Sequence, residues 1–275
     1  MIAEAIASGA VSGRLWLYAN YHCNLRCTYC LTESAPGVAR RELGEERAMA
    51  AAREAPELGF DAIGVTGGEP FVLDYMPRLL AGLGRELPTV VLSNGTAFNE
   101  RRLRAMEPLA DLPVHVQVSL DHAEPRENDA MRGPGNFARV VDAIPRLRER
   151  GVGVRISTTL EDPDADPEGL ERLCELHRSL GVPDEDHVVR PVVRRGRAST
   201  NGLGLRAGLE ELDPELTVTA DGAFYSPAGP TVTAGALDTD LLLTRVTSPL
   251  ARPAEALARV VAGRPAGDDA SIGVR

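Results

Sequence analysis

The chain contains no lysine. All 30 of its basic residues are arginine, so no side-chain amine is available to form a Schiff base with a carbonyl substrate. Long apolar runs are also missing. No stretch approaches the roughly 18–20 apolar residues of a membrane-spanning helix, and residues 1–10 lack the basic start and long apolar run of a secretory signal. A cytoplasmic protein with no membrane partner is expected. Positive charge is in deficit, because 40 acidic residues against 30 basic ones leave a net charge of −10. Nucleic acids and anionic membranes attract basic surfaces, so no nucleic-acid partner is expected either. Cysteine is scarce: there are four, three of them packed within eight residues. In a reducing cytosol such a cluster reads as a metal site rather than a disulfide framework.

What is present is an alternation of short β-rich runs with amphipathic stretches. At 43% hydrophobic, 275 residues can bury one sizeable core with a small appendage. The β-rich runs are Leu15–Tyr21, Ala62–Thr66, Thr89–Ser93, Val114–Leu120, Val152–Leu160 and His187–Val193. Helical patterns lie between them at Glu42–Leu58, Leu73–Glu86, Asn99–Leu109, Asn136–Arg150 and Pro167–Leu180, the last with leucines 170, 173, 176 and 180 at helical spacing. Six such units imply a parallel sheet with right-handed crossovers but are too few to close an eight-stranded barrel. The expected α/β fold is a partial, open (β/α)6 TIM-like barrel over residues 1–195, with its chemistry at the C-terminal ends of the strands. Residues 196–275 form a small C-terminal extension. Within it Val218–Tyr225 reads as a hairpin around Asp221-Gly222, Leu237–Val261 as helical segments interrupted by Pro249 and Pro253, and 262–275 as a fraying end.

Cys23, Cys27 and Cys30 follow directly on the first strand run. Three thiolates on one loop can ligate three irons of a cubane and leave the fourth without a protein ligand. With His22 or Cys174 they could instead form a structural zinc site. The C-x3-C step is less usual for zinc, and the second cysteine pair of a ribbon or finger is missing.

The spacing Cys23-x3-Cys27-x-Tyr29-Cys30 resembles the signature of the radical S-adenosylmethionine (AdoMet) superfamily. Further matches fall at successive strand ends: Thr66-Gly67-Gly68-Glu69-Pro70 resembles the family's GGEP motif, followed by Ser93-Asn94-Gly95-Thr96, Ser119-Leu120-Asp121 and Arg132-Gly133. The resemblance covers roughly residues 15–195. It implies one 4Fe–4S cluster on Cys23, Cys27 and Cys30, whose open iron is chelated by AdoMet. It further implies reductive cleavage of AdoMet to methionine and a 5′-deoxyadenosyl radical, with an electron donor such as flavodoxin or ferredoxin. By the same resemblance Gly67, Gly68, Glu69 and Pro70 bind the methionine amino group. Ser93, Asn94, Ser119 and Asp121 offer short polar groups to the ribose or carboxylate. Arg132 pairs with the AdoMet carboxylate through its planar fork, and Tyr29 lies near the adenine.

The chain departs from the family pattern in several places. His122 stands where many relatives carry glycine, either as a proton-transfer group or as a solvated loop residue. Cys174 reads as a small buried hydrophobe on a helix, with hydrogen-atom donation as the sharper alternative. Arg190-Pro191 through Gly196-Arg197-Ala198, followed by residues 217–225, resembles the opening of a SPASM or twitch extension. Ser226 occupies the place of an expected cysteine, and no cysteine follows Cys174. The extension is therefore expected to be a degenerate lid without metal ligands. The first strand begins within twenty residues of Met1, and neither a corrinoid-binding nor a peptide-recognition domain is expected before it. The expected substrate is a small molecule, a sugar, nucleoside or related metabolite of natural-product or cofactor biosynthesis. The rival is a ribosomally made peptide, and the remote alternative a non-catalytic zinc or iron–sulfur protein.

Overall fold

The computed structural model describes residues 1–161, 166–206 and 211–263. Six parallel strands form its centre: β1 (Arg14–Tyr18), β2 (Ala62–Thr66), β3 (Thr89–Ser93), β4 (Val114–Ser119), β5 (Gly153–Leu160) and β6 (His187–Pro191), hydrogen-bonded in chain order. The helices are α1 (Ile2–Ala7), α2 (Glu45–Glu54), α3 (Met76–Glu86), α4 (Glu100–Met106), α5 (Pro125–Arg132), α6 (Asn136–Arg148), α7 (Pro167–Ser179), α8 (Gly196–Thr200) and α9 (Ala251–Val261). The partial barrel read from the sequence is thus the fold. The sheet does not close: β6 is one edge, and among the described residues it pairs only with β5.

Alternation along the strands shows why this sheet curves around a polar interior. Leu15, Leu17, Ile63, Val65, Val91, Val116, Val118, Val154 and Ile156 belong to one buried cluster with the apolar stripes of the helices, such as Leu79, Leu80 and Leu83 of α3. The intervening residues form the other face. In register across it stand Tyr18 and Thr66, Leu92 and Gln117, Ser119 and Ser157, and Thr159 and Arg190. A flat parallel sheet covered on both faces would be apolar throughout; polar alternates mark a hollow. The single tryptophan fills one end of it. Trp16 pairs with Gly64, where a Cβ would stand 2.3 Å from the indole ring.

The C-terminal extension continues the same sheet. β7 (Thr217–Val218) runs parallel to β1, and β8 (Ala223–Phe224) and β11 (Leu242–Thr244) follow antiparallel, making nine strands among the described residues. The β7–β8 turn at Asp221-Gly222 is the hairpin expected there. β9 (Val232–Thr233) and β10 (Ala236–Leu237) form a separate small pair. The helical reading of 237–261 is corrected for its first half. The run Leu241–Leu243 is buried, Leu242 pairs with Phe224, and helix begins only at Ala251. Pro253 does not interrupt that helix, because in the first turn its missing N–H has no intrahelical partner to lose. The expected fraying end lies, from residue 264, outside the described residues. Among the described residues no helix is long and apolar enough to cross a membrane.

Candidate active site

At the C-terminal ends of β1–β6 lies a cavity of about 190 Å³. All three clustered cysteines line it, and so do Tyr29, Gly67, Gly68, Ser93, Asn94, Ser119 and Arg132. Parallel strands deliver these residues together because each motif ends a strand on the same side of the sheet.

The cysteine loop is held from both flanks. On one side Thr28 N–H and Oγ1 donate to the carbonyl of Met131 near the end of α5, at 2.9 and 3.3 Å. On the other, Arg197 of α8 donates through Nη1 to the Cys27 carbonyl (2.7 Å), through Nη2 to the Ser34 carbonyl (3.0 Å), and through its N–H to the Cys30 carbonyl (2.9 Å). The sulfurs have separate neighbours. Cys23 Sγ accepts from Leu25 N–H (3.3 Å) and Asn94 Nδ2 (3.6 Å), Cys27 Sγ lies 3.7 Å from the Arg132 carbonyl, and Cys30 Sγ lies 3.6 Å from Thr32 Oγ1. Burial pushes the Cys23 thiol up to about 12, with the Glu69 charge adding to it, and burial likewise raises Cys27. Thiols so placed ionise when a metal takes the proton's place. Among the described residues no three His, Cys, Asp or Glu side chains converge on a point that would hold a single metal ion. Three thiols on one loop, a purely thiol donor set, fit one thiolate on each of three irons of a cubane.

Gly67 and Gly68 are required by a close approach of backbone. Gly67 has φ +141°, and a Cβ there would meet the Asn20 carbonyl at 2.4 Å; at Gly68 it would meet the His22 carbonyl at 2.2 Å. Gly68 N–H donates to the Asn20 carbonyl (2.8 Å), which ties the β2 turn to the segment carrying the cysteines.

Glu69 is fully buried and its carboxylate is occupied by the scaffold. Oε1 accepts from Phe71 N–H (3.0 Å) and Ser93 Oγ (2.9 Å), and Oε2 from Asn94 N–H (2.7 Å). Burial raises this carboxyl above the ordinary range, and the donors from Asn94, Phe71 and Ser93 oppose that only in part. Glu69 therefore stands behind the cavity wall as a strut between the ends of β2 and β3. Pro70, which follows it, starts a short 3-10 turn over Pro70–Val72 and is buried outside the cavity.

Asp121 also lies behind the wall. Its Oδ2 accepts from Tyr29 Oη (2.5 Å) and Arg132 Nη1 (2.9 Å), and Oδ1 accepts from Thr159 N–H (2.9 Å). Arg132 Nη1 also donates to Tyr29 Oη. Burial works against the Arg132 charge, but Tyr29 and Asp121 outweigh it and the guanidinium is held firmly protonated. Arg132 Nε is buried without a partner, which leaves one N–H of a cavity-lining cation unsatisfied.

Sequence reasoning missed several supports. Asn128 of α5 accepts from Asp121 N–H (3.1 Å) and donates to Asn136 Oδ1 (2.9 Å), and Asn136 donates to the Asn94 carbonyl (3.1 Å). This buried relay joins the ends of β3 and β4. Two residues singled out in the sequence stand apart from the cavity. His122 Nδ1 accepts from Glu124 N–H just before α5. Cys174 lies 3.6 Å from His187 Nδ1, at the opposite end of β6.

Comparison with known proteins agrees with this geometry. The model of the radical SAM superfamily matches residues 18–192, well over half of the chain. The chain belongs to the radical SAM superfamily. A curated relative, GTP 3′,8-cyclase 2 of Pseudomonas aeruginosa, is 34% identical over 130 residues, 47% of this chain and 39% of the relative. The chain thus spans less than half of that relative. Native anSMEcpe with bound AdoMet superposes with a TM-score of 0.62 at 13% identity, covering 88% of this chain and 79% of that one. Streptococcus suis SuiB bound to precursor peptide SuiA superposes with a TM-score of 0.56 at 16% identity, covering 70% and 42%. At these identities the two structures speak for the fold. Radical SAM enzymes use a 4Fe–4S cluster and AdoMet, and the family match spans the cysteine loop and the strand ends that line the cavity.

Proposed function

We propose that Cys23, Cys27 and Cys30 hold one 4Fe–4S cluster and that the enzyme abstracts hydrogen from a small-molecule substrate, a sugar, nucleoside or related metabolite. The observation that carries this reading is the single cavity that gathers all three thiols with the strand-end residues Gly67, Gly68, Ser93, Asn94, Ser119 and Arg132. When bound, the cluster supplies the electron that cleaves AdoMet. The chain's own groups bind and orient. The backbone at Gly67-Gly68 accepts the methionine amino group, and Arg132, kept charged by Asp121, meets the carboxylate. Ser93, Asn94 and Ser119 offer hydroxyl and amide groups to the ribose. Tyr29 packs near the adenine with its hydroxyl tied to Asp121. The hydrogen bonds from Leu25 and Asn94 to Cys23 Sγ tune the potential of the cluster. A ferredoxin or flavodoxin is the electron source.

The nucleotide-processing relative supports a nucleoside or nucleotide within that substrate class. A peptide substrate is the second reading, favoured by the fold likeness to SuiB, which was crystallised with its precursor peptide.

Anaerobic reconstitution followed by dithionite and AdoMet tests the proposal. About four irons per chain and formation of 5′-deoxyadenosine, both lost or strongly reduced in Cys27→Ala, are the expected result. Bound zinc without deoxyadenosine overturns it. Acceleration of cleavage by nucleotides, sugars or peptides then decides the substrate class.

A further inference from the structure

Two arginines line the cavity, Arg132 and Arg190, and among the described residues no aspartate or glutamate does. In a chain with 40 acidic residues that is an unusual surface, and the two cations are treated differently by the protein. Arg132 has Asp121 at 2.9 Å, the Tyr29 hydroxyl, and the nearby Cys27 sulfur. Arg190 sits on β6, in register with Thr159 of β5. Among the described residues its side chain makes no hydrogen bond and no ion pair.

A half-buried guanidinium without a counter-charge is costly to keep. Burial lowers the affinity of Arg190 for its proton; the charges that act on it are the opposing ones of Glu215 and Arg14, neither within ion-pair distance. Around it the wall is polar but neutral: Ser119 and Ser157, whose hydroxyls are 3.5 Å apart, and Thr159.

We propose that Arg190 is the anchor for an anionic group, a phosphate or a carboxylate, on the substrate, with Ser119, Ser157 and Thr159 supplying neutral hydrogen bonds beside it. The proposal rests on the reading that Arg132 takes the AdoMet carboxylate, which leaves Arg190 for the second ligand. A guanidinium fork matches either anion. It narrows the substrate class to phosphorylated or carboxylated metabolites and sets uncharged sugars and free nucleosides aside.

The test uses the reconstituted holoenzyme and calorimetric titration with inorganic pyrophosphate, malonate and AdoMet, on wild type, Arg190→Met and Arg190→Lys. At least one of the two anions is expected to bind wild type, and which one binds separates phosphate from carboxylate. A charge-assisted contact of this kind corresponds to a loss of roughly 10- to 100-fold in Arg190→Met, with Arg190→Lys between, while AdoMet affinity falls by much less. Because Arg190 makes no internal hydrogen bond, Arg190→Met should melt no lower than wild type; a purely structural arginine would lower the midpoint. The proposal is overturned if neither anion binds wild type at millimolar concentration. It is equally overturned if Arg190→Met weakens AdoMet as much as the anion, which would make Arg190 part of the AdoMet site. Deoxyadenosine formation by wild type is measured alongside, so failure of the radical reading is seen separately from failure of the anion site.

Discussion

Arg197 Nη1 donates to the carbonyl of Cys27 at 2.7 Å across 170 residues of sequence. With Nη2 on the Ser34 carbonyl and its own N–H on Cys30, this one buried residue fixes the outer side of the loop that carries all three thiols. The loop has no regular secondary structure of its own, so its shape depends on such outside donors.

Arg197→Met removes two charged donors from buried carbonyls, and each is worth about 1.5–3 kcal/mol. A stability loss of about 3–6 kcal/mol is expected, together with fewer irons retained per chain after reconstitution and desalting. Gly196→Ala should give the same phenotype by another route, since a Cβ there would sit 2.0 Å from the Leu31 carbonyl. Full iron retention in both variants would show that the loop keeps its shape without α8.

Glu69→Gln tests the strut between β2 and β3. Both carboxylate oxygens accept from N–H or O–H groups. An amide places its NH2 against one of those donors and leaves a buried group unpaired. The expected cost is about 1–3 kcal/mol in chemical denaturation. A negligible change would mean that Asn94 and Ser93 find other acceptors.

How much of this was legible depends on how local the cause is. The six parallel strands show as β-branched runs, and the alternation in Val114–Ser119 and Gly153–Leu160 already marks one polar face. The motif residues could be placed at strand ends because a parallel sheet puts all those ends on one side. The roles of Glu69 and Asp121 were not legible. A carboxylate at a strand end reads as a ligand, and only three dimensions show that each also accepts three hydrogen bonds from the scaffold. Helix α5 was also hidden: Pro125–Arg132 lacks an apolar stripe, and Asn128, buried in the polar relay, does the work a leucine does elsewhere. The two- and three-residue strands of the extension are stabilised by pairing with distant segments, so Leu241–Leu243 carries no local sign of strand over helix.

Asp121→Asn breaks a buried ion pair and leaves Arg132 charged among apolar and neutral groups. Removing one partner of such a pair costs about 3–5 kcal/mol, whereas replacing both by apolar residues can be nearly neutral. The double variant Asp121→Leu with Arg132→Met should therefore recover much of the stability lost in Asp121→Asn, yet still bind AdoMet poorly. Denaturation midpoints and AdoMet dissociation constants, measured on the same three proteins, separate the two effects. If the double variant binds AdoMet as wild type does, Arg132 is not its carboxylate partner.

His177 of α7 sets a pH dependence that the active site does not share. It is fully buried, both ring nitrogens lack partners, and its ring meets that of His187 edge-on at 4.3 Å between centroids. Burial, reinforced by His187, pushes its pKa down to about 3. The unfolded chain takes up a proton at this position near pH 6.5, while the folded chain refuses it until about pH 3. The unfolded state therefore binds more protons throughout that window, and stability falls as pH drops through it, by up to about 1.4 kcal/mol per pH unit for this one group. Above about pH 6.5 both states hold the ring neutral and the effect vanishes. In His177→Leu the slope of stability against pH between about 6.5 and 4.5 should be shallower than in wild type by up to one proton. The carboxylates and the remaining histidines contribute to both proteins and largely cancel in the difference. Urea denaturation at a series of pH values measures it; identical slopes would mean that the folded protein protonates His177 as easily as the unfolded chain does.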